Sequence, residues 1–219
     1  MADWERLAGW WLEEIADDPI YGLDVVPLAI DLAGRPTGIA LDLGCGEGQV
    51  MRAFPGRVVG TDISQLLLQR ASSAGPVVRG RLPDLDWIRT AAIDTAYAVL
   101  VLEHLPDLNV FGSAFRVVRP GGKLVMVANH PSFTAAEAGP IVDQTDGEFL
   151  WRWGDYFNEA EIAMQGRGKD SIVFHHRPLG TILNAAADSG WMLDCLSETG
   201  FSDAAIAVRP GYAGQEQMP

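Results

Sequence analysis

Ile39-Ala40-Leu41-Asp42-Leu43-Gly44-Cys45-Gly46-Glu47-Gly48 decides the fold. Its first half is an apolar run of strand length broken only by Asp42. It feeds straight into a loop with glycine at every second position. Glycine there lets the backbone turn sharply and approach a ligand without Cβ atoms in the way. Outward from this stretch, short apolar runs alternate with helical ones. Val50 to Phe54 is a short helix and Val58 to Asp62 a second strand, and Ser64 caps a helix over Gln65 to Ser72. Strands follow at Val77-Val78, Thr95 to Leu102 and Lys123 to Ala128, with a helix from Leu108 to Val118 stopped by Pro120-Gly121-Gly122. Such alternation predicts an α/β, doubly wound, mostly parallel sheet covered on both faces.

Leu179 to Ser189 reads as a further helix, and Met192 to Leu196 and Ala204 to Val208 as strands. The two have no helix pattern between them, so the last should run antiparallel in a seven-stranded sheet. Ahead of the sheet, Trp4, Leu7, Trp10, Trp11 and Ile15 form an i, i+3, i+4, i+7 stripe, and Tyr21 to Leu32 continues as a second helix. The expected division is an N-terminal helical lid over 1–37, a ligand-binding sheet domain over 38–129 and 179–210, a cap insertion over 130–178, and a tail over 211–219. The three tryptophans of the first helix read as packing.

The 219 residues carry a net charge of −13 and only two cysteines, Cys45 and Cys195. That balance argues against nucleic acid and against an anionic membrane surface as partner, because both need a basic face. Two cysteines imply no disulfide framework, so a reducing cytoplasm is the expected compartment. The four histidines stand at no metal-ligand spacing with carboxylates or thiols, so no metal site is expected.

Asp62 ends the second strand, twenty positions after Asp42, where a carboxylate can accept hydrogen bonds from both hydroxyls of a ribose. A dinucleotide fingerprint wants G-x-G-x-x-G, but here the glycines are 44, 46 and 48, and Gln49 replaces the third. Glu47 in the loop would repel a pyrophosphate, whereas Asp42 suits an ammonium. A ligand with a ribose, an amine and no phosphate is S-adenosylmethionine. A NAD(P)-dependent oxidoreductase and a non-catalytic cofactor-binding module are the alternative readings.

With these residues the chain resembles the class I S-adenosylmethionine-dependent methyltransferases, through Leu41–Gly48, Val58–Ser64, the stretch from Leu100 to Asp107 and Arg116–Val127. The resemblance implies a Rossmann-like fold and a methyl transfer to a small-molecule acceptor. It implies that Gly44, Cys45 and Gly46 line the methionine portion, that Asp62 holds the ribose, that Ile63 packs on adenine, and that Leu102 and Glu103 sit beside the sulfonium. Arg81 stands where such chains often carry an acid for adenine, leaving backbone groups, Asp84 or Asp86 to read it; Leu82 belongs to the same cofactor wall. Tyr21 is expected to fold over the cofactor. His176, His130 and Glu103 are the candidate catalytic groups, and Trp151, Trp153, Tyr156 and His175 the candidate acceptor contacts. A monomer or homodimer is expected.

Overall fold

The computed structural model describes residues 4–16, 18–35, 37–165, 171–214 and 218. The side chain of Ile15, the tip of the cap (166–170) and residues 215–217 and 219 of the expected tail lie outside the described residues.

Five strands form the central sheet: β1 (Ile39–Leu43), β2 (Arg57–Asp62), β3 (Val77–Arg79), β4 (Ile93–Val99) and β5 (Val118–Val127), in the order β3-β2-β1-β4-β5. Every pairing is parallel. Strand residues alternate between two apolar layers, the outcome expected of a sheet buried on both faces. Leu41, Leu43, Ala96 and Ala98 pack with Phe111, Ala114 and Val117 of α5 (Val110–Val117). On the other face Ala40 and Tyr97 pack with Ala29 of α2 (Val26–Ala33), with Val50 and Met51 of α3 (Gln49–Ala53), and with Leu68 of α4 (Gln65–Ala71). The chain leaves β1 toward β2 and β3 and then crosses back to β4, so the order reverses between β1 and β4. Open α/β sheets bind ligands at such a switch point, beyond the carboxyl ends of the strands.

The lid helix α1 (Trp4–Ala16) packs on α4, and a π-helical turn (Tyr21–Val25) leads into α2. After β5 come α6 (Pro131–Thr134) and two antiparallel hairpins, β6 (Gly139–Val142) with β7 (Phe149–Arg152), and β8 (Ala160–Gln165) with β9 (Ser171–His176). The second hairpin docks on the turn Leu102–His104. The chain then returns to the sheet domain as α7 (Leu179–Asp188).

The expected sixth and seventh strands are absent from the sheet. Met192–Leu196 joins no ladder, and Met192 is 91% exposed. Residues expected as the last, antiparallel strand form α8 (Asp203–Val208) instead. The reason is local. Ser202 Oγ accepts from Ala205 N–H at 3.2 Å, an N-cap, and the segment that follows is rich in alanine. No described helix is long and apolar enough to cross a membrane.

Candidate functional site

β1 delivers the chain to Gly44, Gly46 and Gly48 at φ of +69°, +52° and +92°, backbone that side chains other than glycine rarely adopt. The three serve different ends. A Cβ on Gly44 would strike Val101, and one on Gly48 would come within 2.9 Å of Ala71 Cα on α4. One on Gly46 would meet nothing closer than Trp11 Nε1 at 3.9 Å, so only there does the missing side chain open space above the backbone. The loop is pinned to β2. Gly44 and Cys45 N–H both donate to the Thr61 carbonyl (2.8 and 3.0 Å), and Gly46 N–H donates to Asp62 Oδ2 (3.0 Å).

Above this loop a cavity opens. Asp42, Gly44, Cys45 and Gly46 form its floor; Asp62 and Ile63 stand on one side with Gly80, Arg81 and Leu82; Val99, Leu100 and Val101 enter from β4. Leu100 sits at φ +50°, held by its N–H donating to Val127 O at 2.7 Å. Strained backbone of this kind clusters at ligand sites. Trp4, Trp11, Tyr21, His104 and Leu105 close the remaining wall.

Two carboxylates set the electrostatics. Asp42 is 2% exposed, and its Oδ2 is buried without a hydrogen-bond partner. Burial, and secondarily the charge of Asp62, push its pKa up to about 7. Asp62 is raised by burial too, opposed by the backbone N–H groups that it accepts, among them Ser64 at 2.8 Å. An acidic group held this way is ready for a cation. Burial pushes the Cys45 thiol up, so it offers no thiolate. A cationic ligand with hydroxyls fits these groups: Asp42 lacks a partner, Gly46 leaves the backbone open, and Asp62 keeps spare lone pairs.

Of the residues expected around a cofactor, Asp42, Gly44, Cys45, Gly46, Asp62, Ile63, Leu82 and Tyr21 line this cavity. Leu102 and Glu103 do not. After the left-handed turn at Leu100, Val101 takes the cavity side and the short helix Leu102–His104 turns Leu102 into the core. Leu102 and Glu103 face a second, smaller cavity with Asn129, His175 and Arg177. There Glu103 Oε1 accepts from Asn129 Nδ2 (2.6 Å), while Glu103 Oε2 and His175 Nε2 are buried without partners. His175 is therefore not in the main cavity either.

The two candidate catalytic histidines are tethers. His176 is 1% exposed; its Nε2–H donates to the Tyr156 carbonyl (2.8 Å) and its Nδ1 pairs with Thr134 Oγ1 (2.9 Å). His130 Nδ1 accepts from Ser132 N–H (3.2 Å) and its Nε2 lies 2.9 Å from Glu198 Oε1. Neither ring lines the cavity. Trp151, Trp153 and Tyr156 also lie outside the lining of that cavity. Trp151 Nε1–H donates to Ser132 O (3.1 Å), the Tyr156 hydroxyl accepts from Leu179 N–H (3.2 Å), and Trp153 is 59% exposed.

Trp4 and Trp11, expected as packing, are cavity wall instead, joined by His104 and Leu105. The signal was the i, i+7 spacing of Trp4 and Trp11, which puts two indoles on one helix face with Tyr21 following. Among the described residues no three His, Cys, Asp or Glu side chains gather as a metal site.

Comparison with known proteins agrees with this fold. A family model described as a methyltransferase domain matches residues 41–126, the span from β1 to β5. An S-adenosylmethionine-dependent methyltransferase from Mesorhizobium loti is 31% identical, superposes with a TM-score of 0.72, and is matched over 85% of this chain and 90% of its own. The chain belongs to the S-adenosylmethionine-dependent methyltransferase family, whose cofactor is S-adenosylmethionine. Among curated relatives, 24-methylenesterol C-methyltransferase 2 of rice (Oryza sativa subsp. japonica) is 34% identical over 43% of this chain and 30% of its own length. Malonyl-[acyl-carrier protein] O-methyltransferase of Salmonella typhimurium is 34% identical over 42% of this chain and 39% of its own. The curated relatives are thus matched over less than half of their length.

Proposed function

We propose that this protein transfers a methyl group from S-adenosylmethionine to a small-molecule acceptor. The observation that carries the reading is the buried, unpartnered Oδ2 of Asp42 on the cavity floor, beside an open glycine backbone and across from Asp62. When bound, the cofactor supplies a methyl group already activated on a positively charged sulfur, so the protein need not build an electrophile.

What remains for the chain is to bind and position. Asp42 offers its carboxylate to a cationic group, and Asp62 offers lone pairs to ribose hydroxyls. Ile63 and Leu82 provide apolar surface on either side of a flat base. Trp4, Trp11 and Tyr21 keep water from the reacting end. Holding two reactants in line contributes on the order of 7–11 kcal/mol to catalysis, more than any single base. The relatives named for a sterol and for a malonyl carrier-protein substrate support a metabolite as acceptor. A pyrophosphate cofactor is disfavoured by Asp42 and Glu47 in the same cavity wall.

The test is calorimetric titration with S-adenosylmethionine, S-adenosylhomocysteine and NADH, followed by mass spectrometry of candidate metabolites for the gain of one methylene. Binding of the two sulfur nucleosides but not NADH is expected. Absence of binding by either nucleoside would remove the reading.

A further inference from the structure

His104 stands between the lid and the cap. The Trp4 and Phe174 rings each approach its imidazole edge to face, with centroids 4.8 Å away. Its Nδ1 lies 3.3 Å from the Val173 carbonyl oxygen on β9. A carbonyl can only accept, so Nδ1 carries the proton of that contact. Burial lowers the pKa of this histidine, against a raising influence from the neighbouring Glu103, and keeps the ring neutral at physiological pH. A neutral imidazole protonated on Nδ1 has its lone pair on Nε2. His104 therefore gives the cavity wall a fixed hydrogen-bond acceptor. The other titratable groups packed around it are Glu103 on the same turn and His175 at the end of β9, with Arg177 just beyond.

The wall around that acceptor is aromatic. Trp4 meets Trp11 at 5.6 Å and 88°, and Trp11 meets Tyr21 at 5.9 Å and 82°. Leu105 completes this end of the cavity. The acids of the wall (Asp42, Asp62 and Glu47) oppose an anionic acceptor. A protonated amine has no lone pair for the methyl group. A neutral hydroxyl has both a proton to donate and a lone pair to attack with.

We propose that the acceptor is a flat aromatic compound carrying a hydroxyl, seated among Trp4, Trp11 and Tyr21 with its O–H donating to Nε2 of His104. This rests on the methyl-transfer reading and names the acceptor class of the same site. In the proton step, the O–H bond breaks, its electron pair stays on the acceptor oxygen, and the proton forms an N–H bond at Nε2, leaving an imidazolium. The oxygen, now richer in electrons, forms the new C–O bond, while the methyl–sulfur bond breaks and leaves its electron pair on the sulfur as a neutral thioether.

The test uses the full chain saturated with S-adenosylhomocysteine and three probes: 2-naphthol, 2-methoxynaphthalene, which has no proton to donate, and 2-naphthoate. By calorimetry 2-naphthol is expected to bind about tenfold tighter than its methyl ether, the scale of one buried hydrogen bond, and 2-naphthoate not measurably. His104→Phe keeps a ring but removes the lone pair, and is expected to bring the naphthol preference below about threefold. Nitrogen-15 NMR of histidine-labelled wild-type protein gives an answer without any variant: 2-naphthol should move the Nε2 resonance of His104 and 2-methoxynaphthalene should not. A naphthol that fails to bind, a naphthoate that binds as well, a preference that survives His104→Phe, or an unmoved Nε2 resonance each overturn the proposal. Failure of S-adenosylhomocysteine itself to bind would instead overturn the methyl-transfer reading.

Discussion

Glu5 on the lid helix α1 accepts a hydrogen bond from the backbone N–H of Gln65, the first residue of α4, at 2.6 Å. The Ser64 side chain bonds to the same carboxylate, and its Oγ in turn accepts from Leu67 N–H at 3.3 Å. One carboxylate from the lid thus completes the N-terminal cap of a helix that follows directly on Asp62. The lid that carries Trp4 and Trp11 is tied to the strand end that carries Asp62.

Cutting this tie should loosen the lid without unfolding the sheet. Glu5→Gln is expected to raise the dissociation constant for S-adenosylhomocysteine roughly two- to fivefold, the scale of an exposed charged contact. The Ser64 bond, then the backbone donors of Gln65 and Leu66, hold the Glu5 carboxyl below its ordinary value of 4.5. A lowered acid contributes stability that is present above pH 4.5 and lost as pH falls through the folded value. The tie therefore holds at neutral pH and opens in acid. Proteolysis between α1 and α2 should accelerate in acid in the wild type, and at neutral pH only in the variant.

Asp42 works in the opposite direction. Its pKa is raised to about 7 in the folded protein, so between about 4 and 7 the folded state binds a proton that the unfolded chain has released. Stability should fall across that window as pH rises, by on the order of 1 kcal/mol per unit at the steepest. Asp42→Asn should flatten the slope in melts of the cofactor-free protein at pH 5 and pH 8. The same change should weaken binding of the cationic cofactor. A wild-type melting temperature independent of pH over this range would contradict the buried carboxylate.

Asp62→Asn removes a charge that both preforms the loop and faces the cavity. It should weaken cofactor binding by roughly 1–3 kcal/mol, the scale of charge-assisted hydrogen bonds. The amide can still accept from Gly46 N–H through its oxygen, so the melting temperature should move far less than the affinity. Equal losses in both would place Asp62 in the fold alone.

The glycines should separate in the same pair of measurements. Gly44→Ala drives a methyl group into Val101 at positive φ and should destabilise the fold by about 1–3 kcal/mol. Gly46→Ala meets open space, so its larger effect should be on cofactor affinity. Calorimetry and thermal melts of the two variants decide this; if Gly46→Ala binds like the wild type, the cofactor does not approach that backbone.

His176→Ala tests the reassignment of a predicted catalytic residue. The substitution leaves the Tyr156 carbonyl and the Thr134 hydroxyl without their partner inside the cap, a cost of about 1–3 kcal/mol. Stability should drop while affinity for S-adenosylhomocysteine holds. The reverse pattern would return His176 to the site.

The run Ile39 to Gly48, the acid at position 62 and the alternation through Val127 determined the parallel strands β1 to β5, the family and the glycine-loop side of the cavity. Each rests on local chemistry: buried parallel strands must be continuously apolar, tight loops at positive φ need glycine, and a strand end presents its carboxylate at a set distance from the next loop. Residues 192–208 depart from the expected strands because Ser202 caps a helix there and neither stretch finds a ladder, and partners in a sheet are chosen across the molecule. Only the tertiary structure decided which aromatics and histidines line the cavity. Trp4 and His104 are 100 positions apart in sequence yet have ring centroids 4.8 Å apart. His176 looked equally suited but is spent on Tyr156 and Thr134. A side chain's type is written in the sequence; whether its nitrogen is free or already bonded depends on which distant carbonyl the fold brings against it.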